Sequence, residues 1–130
     1  MSAVCAALAG DPVLAAHYAD FRGKTEAALA PALVALVALV RQAVAAVHGM
    51  GAAPEESALD EGTKLCLAYA RRMPFEHTAI TDAEAAAVVA HLGEAGFVAF
   101  SVLAALADAE CRAALVGVAE LAGVEANPTP

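Results

Sequence analysis

Tryptophan is absent from this sequence, and aromatic residues of every kind fill only 5% of its 130 positions. Proteins that hold single-stranded nucleic acid stack bases on aromatic side chains, and there is little here to stack on. Positive charge is also scarce. Seven Lys and Arg stand against fifteen Asp and Glu, a formal net charge of −8. With no basic patch to neutralise phosphates, nucleic acid is not expected as a partner. The three cysteines, Cys5, Cys66 and Cys111, are odd in number and far apart. They form no CxxC and no zinc spacing, which excludes a disulfide framework and fits a reducing cytoplasm. Long apolar runs are missing too. The charge-free stretch Ala27 to Val40 covers 14 residues and stops at Arg41-Gln42, whereas crossing a bilayer takes about 20. The first residues lack the basic start and cleavage pattern of a signal peptide. No membrane is expected.

What is present is alanine, 38 of it, within a hydrophobic share of 61%. Globular chains average about 45–50%, and the mean hydropathy here is +0.65. Alanine is the strongest helix former and proline the weakest. The six prolines sit at apparent helix edges and in the tail. The expectation is an all-α, single-domain helical bundle of about five to six helices over residues 1–123, with a disordered tail at 124–130. The apolar excess exceeds what so small a subunit can bury alone, so a homo-oligomer is expected, with the chain as its own partner.

Local signals divide the chain. Asp11-Pro12 is a cap followed by a first-turn proline, and a helix from about Pro12 to Ala28 carries Leu14, Tyr18, Phe21 and Thr25 on one face. Pro31 opens a second helix to about His48, apolar nearly all round and therefore buried on several sides. Ser57 with Asp60 starts a third helix as a variant capping box, and Pro74 stops it. Its inner face is Leu59, Thr63, Cys66, Ala70 and Met73. Thr81 with Glu84 is a full capping box, Gly93 ends the short helix that follows, and Glu94 to about Ala122 reads as one long helix.

Two groups of polar residues stand out. Glu76 and His77 are neighbours in an interhelix turn. A histidine beside a carboxylate can act as a general base because its pKa lies near neutrality, but adjacent turn residues often point apart, and the plain reading is that His77 bonds a helix-end backbone group. Glu94, Ser101, Asp108 and Arg112 follow at intervals of seven, seven and four, hence on one face of the last helix. Asp108 and Arg112 stand in the order that favours an ion pair. Charges in such apolar company are costly unless paired. A structural pair is the plain reading, and Arg112 holding a substrate carboxylate is the functional one. Cys66 and Cys111 read as packing residues. His17, His48 and His91 have no partners at metal spacing, and neither a metal nor a cofactor is expected. His91 falls in a last helical turn, where the helix dipole favours a cation.

The segments "PALVALVALVRQAVAAV", "LDEGTKLCLAYARRM", "TDAE", "HLGEAGFVAF" and "ADAECRAALV" occur in that order. Between about Pro31 and Val118 the chain thereby resembles the carboxymuconolactone decarboxylase/alkylhydroperoxidase D-like family. In that family the last helix often carries Asn-Arg. Here Arg112 matches the arginine, and Cys111 stands where asparagine is common. The peroxidase branch carries Glu-x-x-Cys-x-x-Cys-x-x-x-His, because one thiol attacks the peroxide and a second resolves the sulfenic acid. The corresponding stretch here, "AVHGMGAAPEES", keeps His48 and Met50 but has no cysteine. The resemblance therefore implies an alkylhydroperoxidase D-like helical oligomer, a dimer at least and in this family often a trimer or hexamer. It implies no peroxidase chemistry. Two functions follow from it. One is a non-peroxidatic accessory or structural subunit. The other is a cofactor-free enzyme acting on a small carboxylate or lactone, with His77 (beside Glu76) or His48 as base and Arg112, on the face of Asp108 and Ser101, anchoring a small anionic metabolite.

Overall fold

The computed structural model describes residues 2–29 and 34–123, and all of their regular structure is helical. The helices are α1 (Ala3–Ala7), α2 (Pro12–Ala27), α3 (Val34–Val47), α4 (Glu61–Glu76), α5 (Asp82–Leu115) and α6 (Val118–Leu121), with a 3₁₀ turn at His77–Ala79. The expected start of the second helix at Pro31 and the expected tail at 124–130 lie outside the described residues.

Three helices make the core. α4 packs on α5, and α3 packs on both. Leu36, Val40, Ala43 and Val44 come from α3, and Cys66, Leu67, Ala70 and Pro74 from α4. Ala99, Phe100, Leu103, Ala104, Ala107 and Cys111 come from α5. The spacings of three and four place each set on a single helix face. Among the larger side chains, Phe100, Leu67, Leu103, Val40, Val44 and Val88 are fully buried. Tyr69 packs its ring against Phe97 and Phe100 at the edge of this core. α3 is not enclosed on every side as its composition suggested. Val34, Ala35 and Ala38 face outward, because among the described elements α4 and α5 make its main packing contacts.

Capping explains most of the boundaries. The side chain of Asp11 accepts from the Leu14 N–H at 3.1 Å, ahead of Pro12 in the first turn. Thr81 accepts from the Glu84 N–H at 3.1 Å. The Glu84 carboxylate does not close the box. It turns outward to Arg72 Nη1 at 2.5 Å, a bond in which both partners are charged, where the cap bond would pair the carboxylate with a neutral N–H. At the third helix Asp60, not Ser57, is the cap, accepting from the Thr63 N–H at 2.6 Å. Pro74 does not stop that helix either, which runs on to Glu76. A proline near a helix end loses only one backbone bond, and the burial of Pro74 offsets it. α1 was not foreseen. Its cap is Ser2, accepting from the Cys5 N–H, and it packs on α6 and α5.

Gly93 does break the chain where expected, with φ 76° and ψ 168° inside the span of α5, a conformation essentially reserved for glycine. The long last helix ends earlier than Ala122. Gly117 takes φ 70°, the left-handed geometry that commonly closes a helix, and α6 is a separate turn. Among the described residues α5 is the helix long and apolar enough to cross a membrane by length and composition. One side of it packs against α3 and α4 in the core.

Candidate functional site

α3 ends at Val47, and the next residue, His48, turns its ring inward with only 2% of the side chain exposed. Its Nε2 lies 2.7 Å from Asp108 Oδ1. Asp108 and Arg112 are one turn apart on α5, and Arg112 Nε donates to both carboxylate oxygens, at 3.0 and 3.1 Å. Arg112 Nη2 donates to the Pro74 carbonyl at 2.8 Å. That carbonyl is one of the four that a helix C-terminus leaves without an intrahelical partner. Phe75 completes the cluster. The Arg112 Cζ lies 4.9 Å from the centre of its ring, and the His48 ring meets it edge-on at 5.1 Å. A histidine, a carboxylate, a guanidinium and an aromatic ring thus join the ends of α3 and α4 to the last turns of α5.

The expected Asp108–Arg112 pair is therefore present, with two differences. It is not deeply buried, since Arg112 is 47% and Asp108 23% exposed. The second difference is His48, which makes the pair a triad. Sequence spacing placed Asp108 and Arg112 on one helix but contained nothing to bring a residue 60 positions away against them.

The other candidates lie elsewhere. Glu76 is exposed, its carboxylate 3.8 Å from Arg72 Nε. His77 is exposed in the 3₁₀ turn. Neither joins the His48 cluster. Ser101 is half-buried on α5, two turns before Asp108 and so roughly 10 Å away along the helix axis. The His91 ring rests on α4 at Gly62, where a Cβ would lie 2.2 Å from it. Among the described residues no three His, Cys, Asp or Glu side chains gather as a metal site. The thiols are placed for packing. Burial, with the charge of Asp60 adding to it, pushes Cys66 up to about 11. Burial first, then Asp108 and Glu110, raises Cys111. Neither is a ready nucleophile, because the thiolate is the reactive form.

A second polar network escaped the sequence reading. Glu110 accepts from the Tyr18 hydroxyl and from Arg22 Nε, the latter at 2.9 Å. Glu26 pairs with Arg41 and lies 3.7 Å from Arg22. The network ties α2 to α3 and α5. Burial pushes the Glu110 pKa up, but the bonds from Arg22 and Tyr18 outweigh it and the net direction is down. Tyr18, Arg22 and Glu26 stand four apart on α2, a stripe visible in the sequence, but their partners on α3 and α5 are not.

Two cavities flank these groups. One of about 300 Å³ lies under α1 and is lined in part by Arg41, Glu110 and Cys111. The other, about 430 Å³, is lined by Val47, Ala68, Arg71, Arg72, Phe75 and Glu76. Compared with family models, with curated proteins and with solved structures, the chain matches none.

Proposed function

We propose that this protein is a divergent carboxymuconolactone decarboxylase-like chain, acting in a reducing cytoplasm as a non-peroxidatic accessory or structural subunit that assembles with copies of itself. The observation that carries the reading is the engagement of Arg112. Its Nε and Nη2 both bond within the chain, to Asp108 and to Pro74, and its planar face lies over Phe75. A side chain so held works as a clamp between α4 and α5. The buried, raised thiols of Cys66 and Cys111 suit the same reading. Self-association is supported by apolar side chains on the outer faces of α2 and α5. Leu14, Phe21 and Val98 are 51%, 49% and 62% exposed, and Phe21, Val98 and Val102 line a shallow groove between the two helices. Light scattering at micromolar concentration is expected to give a dimer or larger species. A monomer under those conditions would remove the proposal.

The 2.7 Å contact between His48 and Asp108 favours a second reading. A carboxylate that orients an imidazole is the arrangement of a general base. In this reading the protein is a cofactor-free enzyme in which His48 moves a proton on a small carboxylate or lactone, and Arg112 leaves Pro74 to hold the carboxylate. Turnover abolished by both His48→Gln and Arg112→Met, with the fold intact, would select it over the subunit reading.

A further inference from the structure

We infer that the groove on the outer face of α4 is a binding site for a small aromatic carboxylate, with Arg71 and Arg72 holding the anion and Phe75 receiving the ring. The inference rests on neither reading above, since a monomer without catalysis could carry this site.

Five of the six residues lining the groove, Ala68, Arg71, Arg72, Phe75 and Glu76, follow at intervals of three, one, three and one. They form a single stripe along α4. Val47 at the end of α3 closes one side. The volume, about 430 Å³, falls at the small end of the range for ligand pockets, about 300–1,000 Å³. Val47, Ala68 and Phe75 make an apolar floor, and two guanidinium groups stand at its edge.

Both arginines keep donors for a ligand. A guanidinium carries five N–H groups. In Arg71, Nη1 bonds Glu56 at 2.7 Å. In Arg72, Nη1 bonds Glu84 at 2.5 Å and Nη2 reaches the Ala79 carbonyl at 3.4 Å. The Arg72 Nε lies 3.8 Å from Glu76, too far for a hydrogen bond. Glu76 is 67% exposed and can swing aside, so an incoming carboxylate takes the place it now fills loosely.

Phe75 is 59% exposed yet held in place. Arg112 stacks on it and His48 meets its edge, so the ring is ordered before a ligand arrives, which lowers the entropy cost of binding. A flat aromatic body matches such a surface. A single carboxylate suits the site better than a phosphate, because the chain carries a net charge of −8 and repels polyanions.

The test is an amide and arginine-side-chain NMR titration of the full chain with benzoate. Benzamide is the neutral control, acetate the control without a ring, and inorganic phosphate the control for charge alone. Saturable shifts are expected with benzoate at Ala68 and Phe75 and at the side-chain N–H groups of Arg71 and Arg72. Acetate should bind more weakly and benzamide not at all. Arg71→Gln should weaken benzoate about tenfold, the size of one charge-assisted bond. Arg71→Lys, which keeps the charge and loses the fork, should also weaken it. Glu76→Gln should tighten it, because a competing carboxylate is gone. Four results overturn the inference: no saturable shift with benzoate, equal shifts with benzamide, phosphate binding as tightly as benzoate, or unchanged affinity in Arg71→Gln.

Discussion

Replacing Arg112 by methionine removes one guanidinium from three partners at once, and the structure sets the size of the loss. Were Asp108 and Arg112 an isolated buried pair, removing one member would strand the other and destabilise by about 3–5 kcal/mol. Arg112 is 47% exposed, so its ion pair belongs with surface pairs at about 0–1 kcal/mol. The bond to the Pro74 carbonyl adds about 1 kcal/mol, and the stack on Phe75 about 0.5–1 kcal/mol. Asp108 is not stranded, because His48 stays bonded to it. The expected loss is therefore about 1.5–3 kcal/mol, a fall in Tm of roughly 5–12 °C. Asp108→Leu should be worse. It leaves the His48 ring, whose side chain is 2% exposed, without its partner, at about 1–3 kcal/mol on top of the lost ion pair. For a simple pair, combining Asp108→Leu with Arg112→Met would recover much of the loss. For a triad it does not, because the imidazole is still unpartnered, and recovery needs His48→Leu as well. Thermal melts of the two single variants, the double and the triple measure these couplings. Full recovery in the double would show that the His48 bond contributes nothing. An Arg112→Met protein melting within a degree of wild type would show that the clamp does not stabilise the fold, and would shift weight to the enzyme reading.

Two more outcomes follow from the buried groups. With its pKa pushed up to about 11, Cys66 should react with an aromatic disulfide reagent only on unfolding, and Cys66→Ser should leave any peroxide consumption unchanged; fast labelling of Cys66 in the native protein would contradict its placement. Burial, then the hydrogen bond and charge of Glu110, raise Tyr18 from 10.0 to about 12. The stability this contributes is whole below 10.0 and is lost as pH climbs towards about 12, because the unfolded chain gives up that proton more readily. Ultraviolet titration of tyrosinate should show Tyr18 ionising late, and Glu110→Gln should bring it down. An unmoved titration in Glu110→Gln would mean that the contact does not set the shift.

What could be read from the residues alone was the part of the fold governed by neighbours within one helical turn. Asp11 ahead of Pro12, Thr81 three residues before Glu84, and Gly93 each act on backbone groups a few positions away, so their effects survive without knowledge of the rest. The Asp108–Arg112 pair was legible for the same reason, being four residues apart on one helix. Where two local signals competed, the local reading failed. Ser57 and Asp60 both suit a cap, and Asp60 took the Thr63 N–H. Pro74 reads as a stop, but it is buried and the helix runs on for another two residues, its carbonyl taken up by Arg112 of α5. The site itself depended on long-range docking. His48 meets Asp108 across 60 positions, Arg112 meets Pro74 across 38, and Tyr18 meets Glu110 across 92. Periodicity identifies which face of a helix is apolar. It does not say which polar residue at a helix end will meet which carboxylate, because that depends on how α3, α4 and α5 cross once their apolar faces have packed. The same crossing engaged Arg112, the anchor the sequence suggested, and left donors free on Arg71 and Arg72, which the sequence had not singled out.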